Sequence, residues 1–156
     1  MKLYELHKQV SEAIKPPAAK RTVPETANNL TLIHGSNNSN LSLNDVEIVR
    51  SSGQKQGKKG RVYGGFYATS EDDVAQAENY AKMSDGEATL YDIKIKNGTK
   101  IYQTDAGVTR LSPEEIKELT DEGYGILVGK DPLGSKTEWV IIDKNCIAAI
   151  KERVLA

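Results

Sequence analysis

The stretch Val62-Tyr63-Gly64-Gly65-Phe66-Tyr67-Ala68-Thr69-Ser70-Glu71-Asp72-Asp73-Val74-Ala75-Gln76-Ala77 decides how the chain is read, because its periodicity changes in the middle. Residues 62–69 have the aromatic and small apolar residues of a strand. From Ser70 onward Val74, Ala77 and Ala81 recur at helical spacing, and Ser70 with Asp73 has the spacing of a capping box. The reading is a strand that runs straight into a short helix folding back on it.

The same alternation between short elements extends in both directions. Upstream, Leu30-Thr31-Leu32-Ile33-His34 reads as a strand ended by Gly35-Ser36 and a polar run of asparagines. Residues 51–61, with Lys55, Lys58, Lys59 and Arg61, read as a basic loop. Downstream, 88–96 and 99–103 read as a hairpin joined at Asn97-Gly98. Ser112-Pro113-Glu114-Glu115 opens a helix with cap, N1 proline and N3 acid in place, and Gly123 ends it. Residues 124–128, 137–142 and 148–154 supply the closing strands. Many short strands with two or three short helices, and no regular strand–helix alternation, specify an α+β fold. No Gly-x-Gly-x-x-Gly opens a helix, which argues against a Rossmann site.

Composition sets the remaining bounds. The 156 residues suit one domain, and 21 Lys plus Arg against 22 Asp plus Glu give no general attraction to nucleic acid or an anionic membrane. Residues 2–14 have weak helical spacing and Lys15-Pro16-Pro17-Ala18-Ala19-Lys20 reads as a linker, so the expected division is 1–28 as a leading helix and linker and 29–156 as the folded domain. No apolar run approaches the roughly 20 residues that span a bilayer, and Met1–Lys20 lacks a secretory h-region. One cysteine, Cys146, and two histidines, His7 and His34, make neither an internal disulfide nor a structural zinc site. The expectation is a protein cytoplasmic when made.

Four places could carry chemistry. In Thr137-Glu138-Trp139-Val140-Ile141-Ile142, period two puts Glu138 on the face of Val140 and Ile142. An acid there is costly unless it lines a cleft or has a partner, and a carboxylate on the rim of an edge strand is the simpler reading. His34 ends a strand on the face of Leu30 and Leu32, as a satisfied core histidine or as a ligand contact. Gly35 after it would let a ligand approach the main chain and meet one N–H and one C=O. Tyr67 and Tyr80 read singly as core aromatics.

Taken in order, His34-Gly35-Ser36, then Gly64-Gly65-Phe66-Tyr67, then Asn79-Tyr80-Ala81, then Glu138-Trp139-Val140-Ile141-Ile142-Asp143 resembles the ADP-ribosyltransferase superfamily. The likeness is to the histidine–tyrosine–glutamate branch shared by diphtheria toxin and the poly(ADP-ribose) polymerases, including small bacterial members, over roughly residues 30–154. The resemblance implies split antiparallel sheets around an NAD cleft, with NAD as co-substrate and no metal. It implies that His34 bonds the adenosine ribose and that Gly35, with Ser36 beside it, holds the nicotinamide carboxamide. Tyr67 and Tyr80 would sandwich the nicotinamide ring, and Glu138 would be the catalytic carboxylate at the nicotinamide ribose. The activity implied is mono-ADP-ribosyl transfer to a macromolecule, a protein of a host or rival cell, by a bacterial effector or toxin delivered without a signal peptide. NAD glycohydrolysis and a silent NAD- or ADP-ribose-binding module are the alternatives; a nucleic-acid acceptor has no support from the charge. Lys136 stands where arginine-specific relatives carry a second glutamate, and Ala77 where many polymerases have serine.

Overall fold

The computed structural model describes residues 23–36, 40–51, 62–82, 88–108, 111–130 and 136–153. The expected helix at 2–14, the linker at 15–20, the asparagines at 37–39 and the body of the basic loop, 52–61, lie outside them. Among the described residues there are nine strands: β1 (Thr31–Ser36), β2 (Val49–Ser51), β3 (Val62–Gly64), β4 (Phe66–Ser70), β5 (Thr89–Ile95), β6 (Lys100–Gly107), β7 (Tyr124–Lys130), β8 (Thr137–Ile141) and β9 (Ile147–Arg153). Two α-helices accompany them, α1 (Val74–Lys82) and α2 (Pro113–Asp121). Seven strands form one sheet in the order β6-β7-β8-β4-β1-β5-β9, and β2 and β3 pair separately. The class is α+β. The large sheet is mixed rather than purely antiparallel, because β6 and β7 run parallel.

The expected strand over 62–69 breaks in two at Gly65. Its φ of +105° is a left-handed conformation, and a Cβ there would lie 2.5 Å from Val140 Cγ1. Ser70 does precede the helix, yet its side chain makes no capping bond. A single 3₁₀ turn, Glu71–Asp73, intervenes before α1, and its three acids supply the negative charge that suits a helix start. The second helix keeps every expected feature. The Ser112 hydroxyl accepts from the Glu115 N–H, Glu115 Oε1 accepts from the Ser112 N–H, Pro113 occupies the first turn, and Gly123 follows at φ +93°.

The Asn97-Gly98 turn is present, with Gly98 at φ +87°, but β5 and β6 are not a hairpin. The strand β5 lies between β1 and β9, while β6 pairs with β7 at the other end of the sheet. The turn carries the chain between two wings, β6-β7-β8 and β1-β5-β9, joined through β4. One core explains why: Ile93 and Ile95 of β5 and Ile101 and Ile126 of β6 and β7 pack in the same buried cluster, so the wings curl around it. Val23 and Ala27 are buried there too, and Thr26 bridges Lys100, so the chain enters the core upstream of Asn29. Val46 covers another part of it, and the Leu41 N–H donates to the Tyr91 hydroxyl at 3.1 Å. The opposite sheet face holds two separate apolar clusters, one under α1 (Ile33, Ala77, Ala81, Leu90) and one under α2 (including Ile116, Leu119, Leu127 and Val140). No helix among the described residues is long and apolar enough to cross a membrane.

Two buried acids of high pKa tie this core to pH. Burial pushes the Cys146 thiol up to about 12, with Asp143 adding to it, and burial pushes the Tyr102 hydroxyl up to about 12, aided by Tyr124 and Glu122. Both groups are neutral when protonated, so the folded state holds its protons to higher pH than the unfolded chain. Stability contributed by the two is complete below the unfolded values, 9.0 and 10.0, and is lost as pH rises toward 12. Urea melts between pH 8 and 11.5 should show a steady fall that Tyr102→Phe and Cys146→Ala each make shallower; unchanged slopes would contradict the assignment. Gly65→Ala, which combines a strained φ with a collision against Val140, should lower the unfolding free energy by about 1–3 kcal/mol in the same assay at pH 7.

Candidate functional site

The sheet comes apart at β4. Its first half pairs with β8 (Phe66↔Ile141, Tyr67↔Val140, Ala68↔Trp139), and its last residues pair with β1 (Leu32↔Ser70, Ile33↔Thr69). The β1–β4 ladder stops there, while β1 stays paired with β5 through Ser36. A split therefore opens between His34–Ser36 on one side and Phe66–Ala68 on the other. Gly35 lies within β1, where the sequence reading put it just past the strand.

Main-chain directions follow from two bonds. The Leu30 carbonyl accepts from the Ile95 N–H at 3.0 Å, so it points to β5, whereas the Ile33 carbonyl accepts from the Thr69 hydroxyl at 3.5 Å, so it points to β4. Alternation along an antiparallel strand then turns both the N–H and the C=O of Gly35 toward β4, into the split. The same alternation on β4 turns the Tyr67 main chain toward β1. There the His34 imidazole bridges the gap, with Nδ1 2.7 Å from the Tyr67 carbonyl oxygen. A carbonyl only accepts, so Nδ1 carries a proton in this contact. The ring is half-buried and stacks on Phe66, with centroids 4.1 Å apart.

Directly paired residues share a sheet face. Gly35, Tyr67, Thr69 and Glu138 consequently fall on the helix-bearing face, and His34 and Ser36 on the face of the main core. Gly35 is where α1 sits down: a Cβ at residue 35 would lie 2.0 Å from the Ala77 carbonyl oxygen and 3.0 Å from the Ala81 nitrogen. Tyr80 belongs to that same turn of helix; its side chain lies outside the described residues. Tyr67 is half-buried against the α2 cluster, and its hydroxyl donates to the Val108 carbonyl at 3.1 Å.

Glu138 is on no edge. Its strand runs between β7 and β4, it pairs with Gly129, and only 3% of it is exposed. The simpler expectation of a rim carboxylate is thereby overturned. Gly129 has no side chain to crowd the carboxylate, and Glu138 lies one step past the last β4–β8 pair, Ala68↔Trp139; Thr69, which follows Ala68, is 1% exposed. Thr69 and Glu138 are buried polar residues of this face, and Gln76 of α1 is a third buried polar residue. The sequence reading missed Thr69, Gln76 and Gly129. Only Gln76 left a signal, as a polar residue one position from the Ala77–Ala81 stripe. Lys136 is exposed just before β8. Among the described residues, no three His, Cys, Asp or Glu side chains are grouped to hold a metal ion.

No family model, no curated protein and no solved structure matches the chain.

Proposed function

We propose that the protein is a mono-ADP-ribosyltransferase that binds NAD in the split beside β4 and transfers ADP-ribose to a macromolecular acceptor, a protein. The observation that carries this reading is the split itself, into which the main-chain donor and acceptor of Gly35 turn, with Tyr67 and the buried Glu138 on the helix-bearing face beside it. A carboxamide needs one acceptor and one donor at fixed spacing, which a strand residue with no ladder partner on its β4 side supplies. The His34 imidazole, which spans the split, suits a hydrogen bond with a ribose hydroxyl.

The chemistry asks little else of the protein. Cleaving the bond between ribose and nicotinamide expels a neutral leaving group and builds positive charge on the sugar, as in glycoside hydrolysis. A carboxylate held rigidly near that charge stabilises the transition state more than the ground state. The ADP-ribosyl cation is then captured by the acceptor nucleophile, whose proton passes to solvent or a base. Glu138 supplies the negative charge, Gly35 and the tyrosines hold the nicotinamide end, and the acceptor arrives from the side of exposed Lys136.

Glu138→Gln should lower kcat for nicotinamide release about a hundredfold or more while changing the Kd for NAD only a few-fold. Turnover near the wild-type rate would remove Glu138 from the reaction. The acceptor follows from Lys136, whose cation repels a guanidinium and cannot take its proton. Mass spectrometry of labelled targets should find ADP-ribose on carboxylate, hydroxyl or thiol groups, and Lys136→Glu should reduce that transfer while sparing NAD cleavage. Modification confined to arginine would refute the assignment, and label found only in free ADP-ribose would identify the activity as NAD hydrolysis.

A further inference from the structure

Gln76 is an uncharged polar residue that is 5% exposed, and among the described residues its Oε1 is buried without a hydrogen-bond partner. Leaving a buried amide end unsatisfied opposes folding, so such a group calls for a reason. The helix gives one. Ala77 and Ala81 rest against Gly35 of β1, and α1 runs back along β4 after leaving it. One step of about 100° back from Ala77 on a right-handed helix turns Gln76 toward β4, on the flank that overlooks the split. Position 80, four residues on, lies on that same flank.

We infer that Gln76 is a substrate-positioning residue whose side-chain amide binds the 3′-hydroxyl of the nicotinamide ribose. The inference rests on the NAD reading above and deepens it. On that reading the carboxamide is taken by the Gly35 main chain; a carboxylate at the nicotinamide ribose, Glu138, would accept from the 2′-hydroxyl, which leaves the 3′-hydroxyl as the remaining donor of this half of NAD. A hydroxyl both donates and accepts, so it satisfies either end of the amide. The terminal amide torsion of glutamine is broad, so a small turn brings the group to a ligand entering the split. With Glu138 below on the sheet and Gln76 above on α1, the ribose would be gripped from both sides. That grip fixes the sugar while its bond to nicotinamide lengthens.

Two measurements test this. In Gln76→Met, which keeps the length of the side chain and removes the amide, the ligand-free protein should melt about 2–4 °C higher, since an unsatisfied buried group is gone. The same variant should bind NAD about tenfold more weakly by calorimetry. A loss of thermal stability with an unchanged Kd for NAD would show that Gln76 serves the fold, and would overturn the inference while leaving the NAD reading intact. Wild-type protein needs no substitution for the second test. NAD lacking the 3′-hydroxyl on the nicotinamide ribose should bind it about tenfold more weakly, and should bind Gln76→Met no worse than NAD itself does. Equal affinity of wild-type protein for the two ligands would overturn the inference. No binding of NAD to wild-type protein at millimolar concentration would overturn both it and the reading beneath it.

Discussion

The contact between Gly35 and the backbone of α1 is the constraint from which the rest of this structure follows. A helix normally stands off a sheet by the depth of two layers of side chains. Here residue 35 has none, and the residues facing it are alanines, so the Ala77 carbonyl comes down onto the strand itself. The helix is short and follows β4 after a single turn, which leaves it little freedom over where to land. Any larger residue at 35 would lift α1 and carry the buried Gln76 away with it.

Beneath that helix the sheet has to satisfy two cores at once. The main core needs the wings to curl toward each other, which draws β5 and β9 one way and β6 and β7 the other. The strand shared by the wings, β4, cannot remain paired along its full length with both neighbours. It releases β1 after Ile33↔Thr69, and the His34 side chain spans the opening to the Tyr67 carbonyl. A side-chain bond in place of ladder bonds keeps the two strands in register while leaving main-chain groups turned into the gap. The opening is thus a consequence of curvature. Its polar lining is a matter of which residues the sequence puts there.

Much of this was legible in the chain, and the parts that were not share a cause. The Ser112 capping box, the helix end at Gly123 and the apolar stripe of α1 are local signals, and local hydrogen bonds and packing realise them. Asn97-Gly98 also gave the turn it promises. What it could not give was the partner of each strand, because Ile93 and Ile101 have the same alternation whether they sit side by side or face each other across a core. Glu138 was misplaced for the same kind of reason. Period two fixes its face, while its depth depends on β4 and β7 flanking it, and those pairings are long-range. Ser70 failed as a side-chain cap because a 3₁₀ turn separates it from the helix, a distinction that spacing alone does not make.

Depth is what gives the Glu138 position chemical interest. A carboxylate on an exposed edge strand is screened by water, and its field decays within a few ångströms of the surface. On an interior strand, paired with Gly129 and 3% exposed, the side chain has few ways to move and little water around it. Placing an acid there costs stability, which a fold accepts where the group is needed. The cost falls when a positive charge comes close, and a sugar losing a neutral leaving group acquires that charge only as its bond breaks. In the proposed reaction, a carboxylate so placed would favour the transition state over the bound ground state through geometry alone. The alanine–glycine contact under α1 sets the height of the helix over the sheet, and with it where Gln76 stands relative to β4; in the proposed reaction that height would set the room left for the sugar.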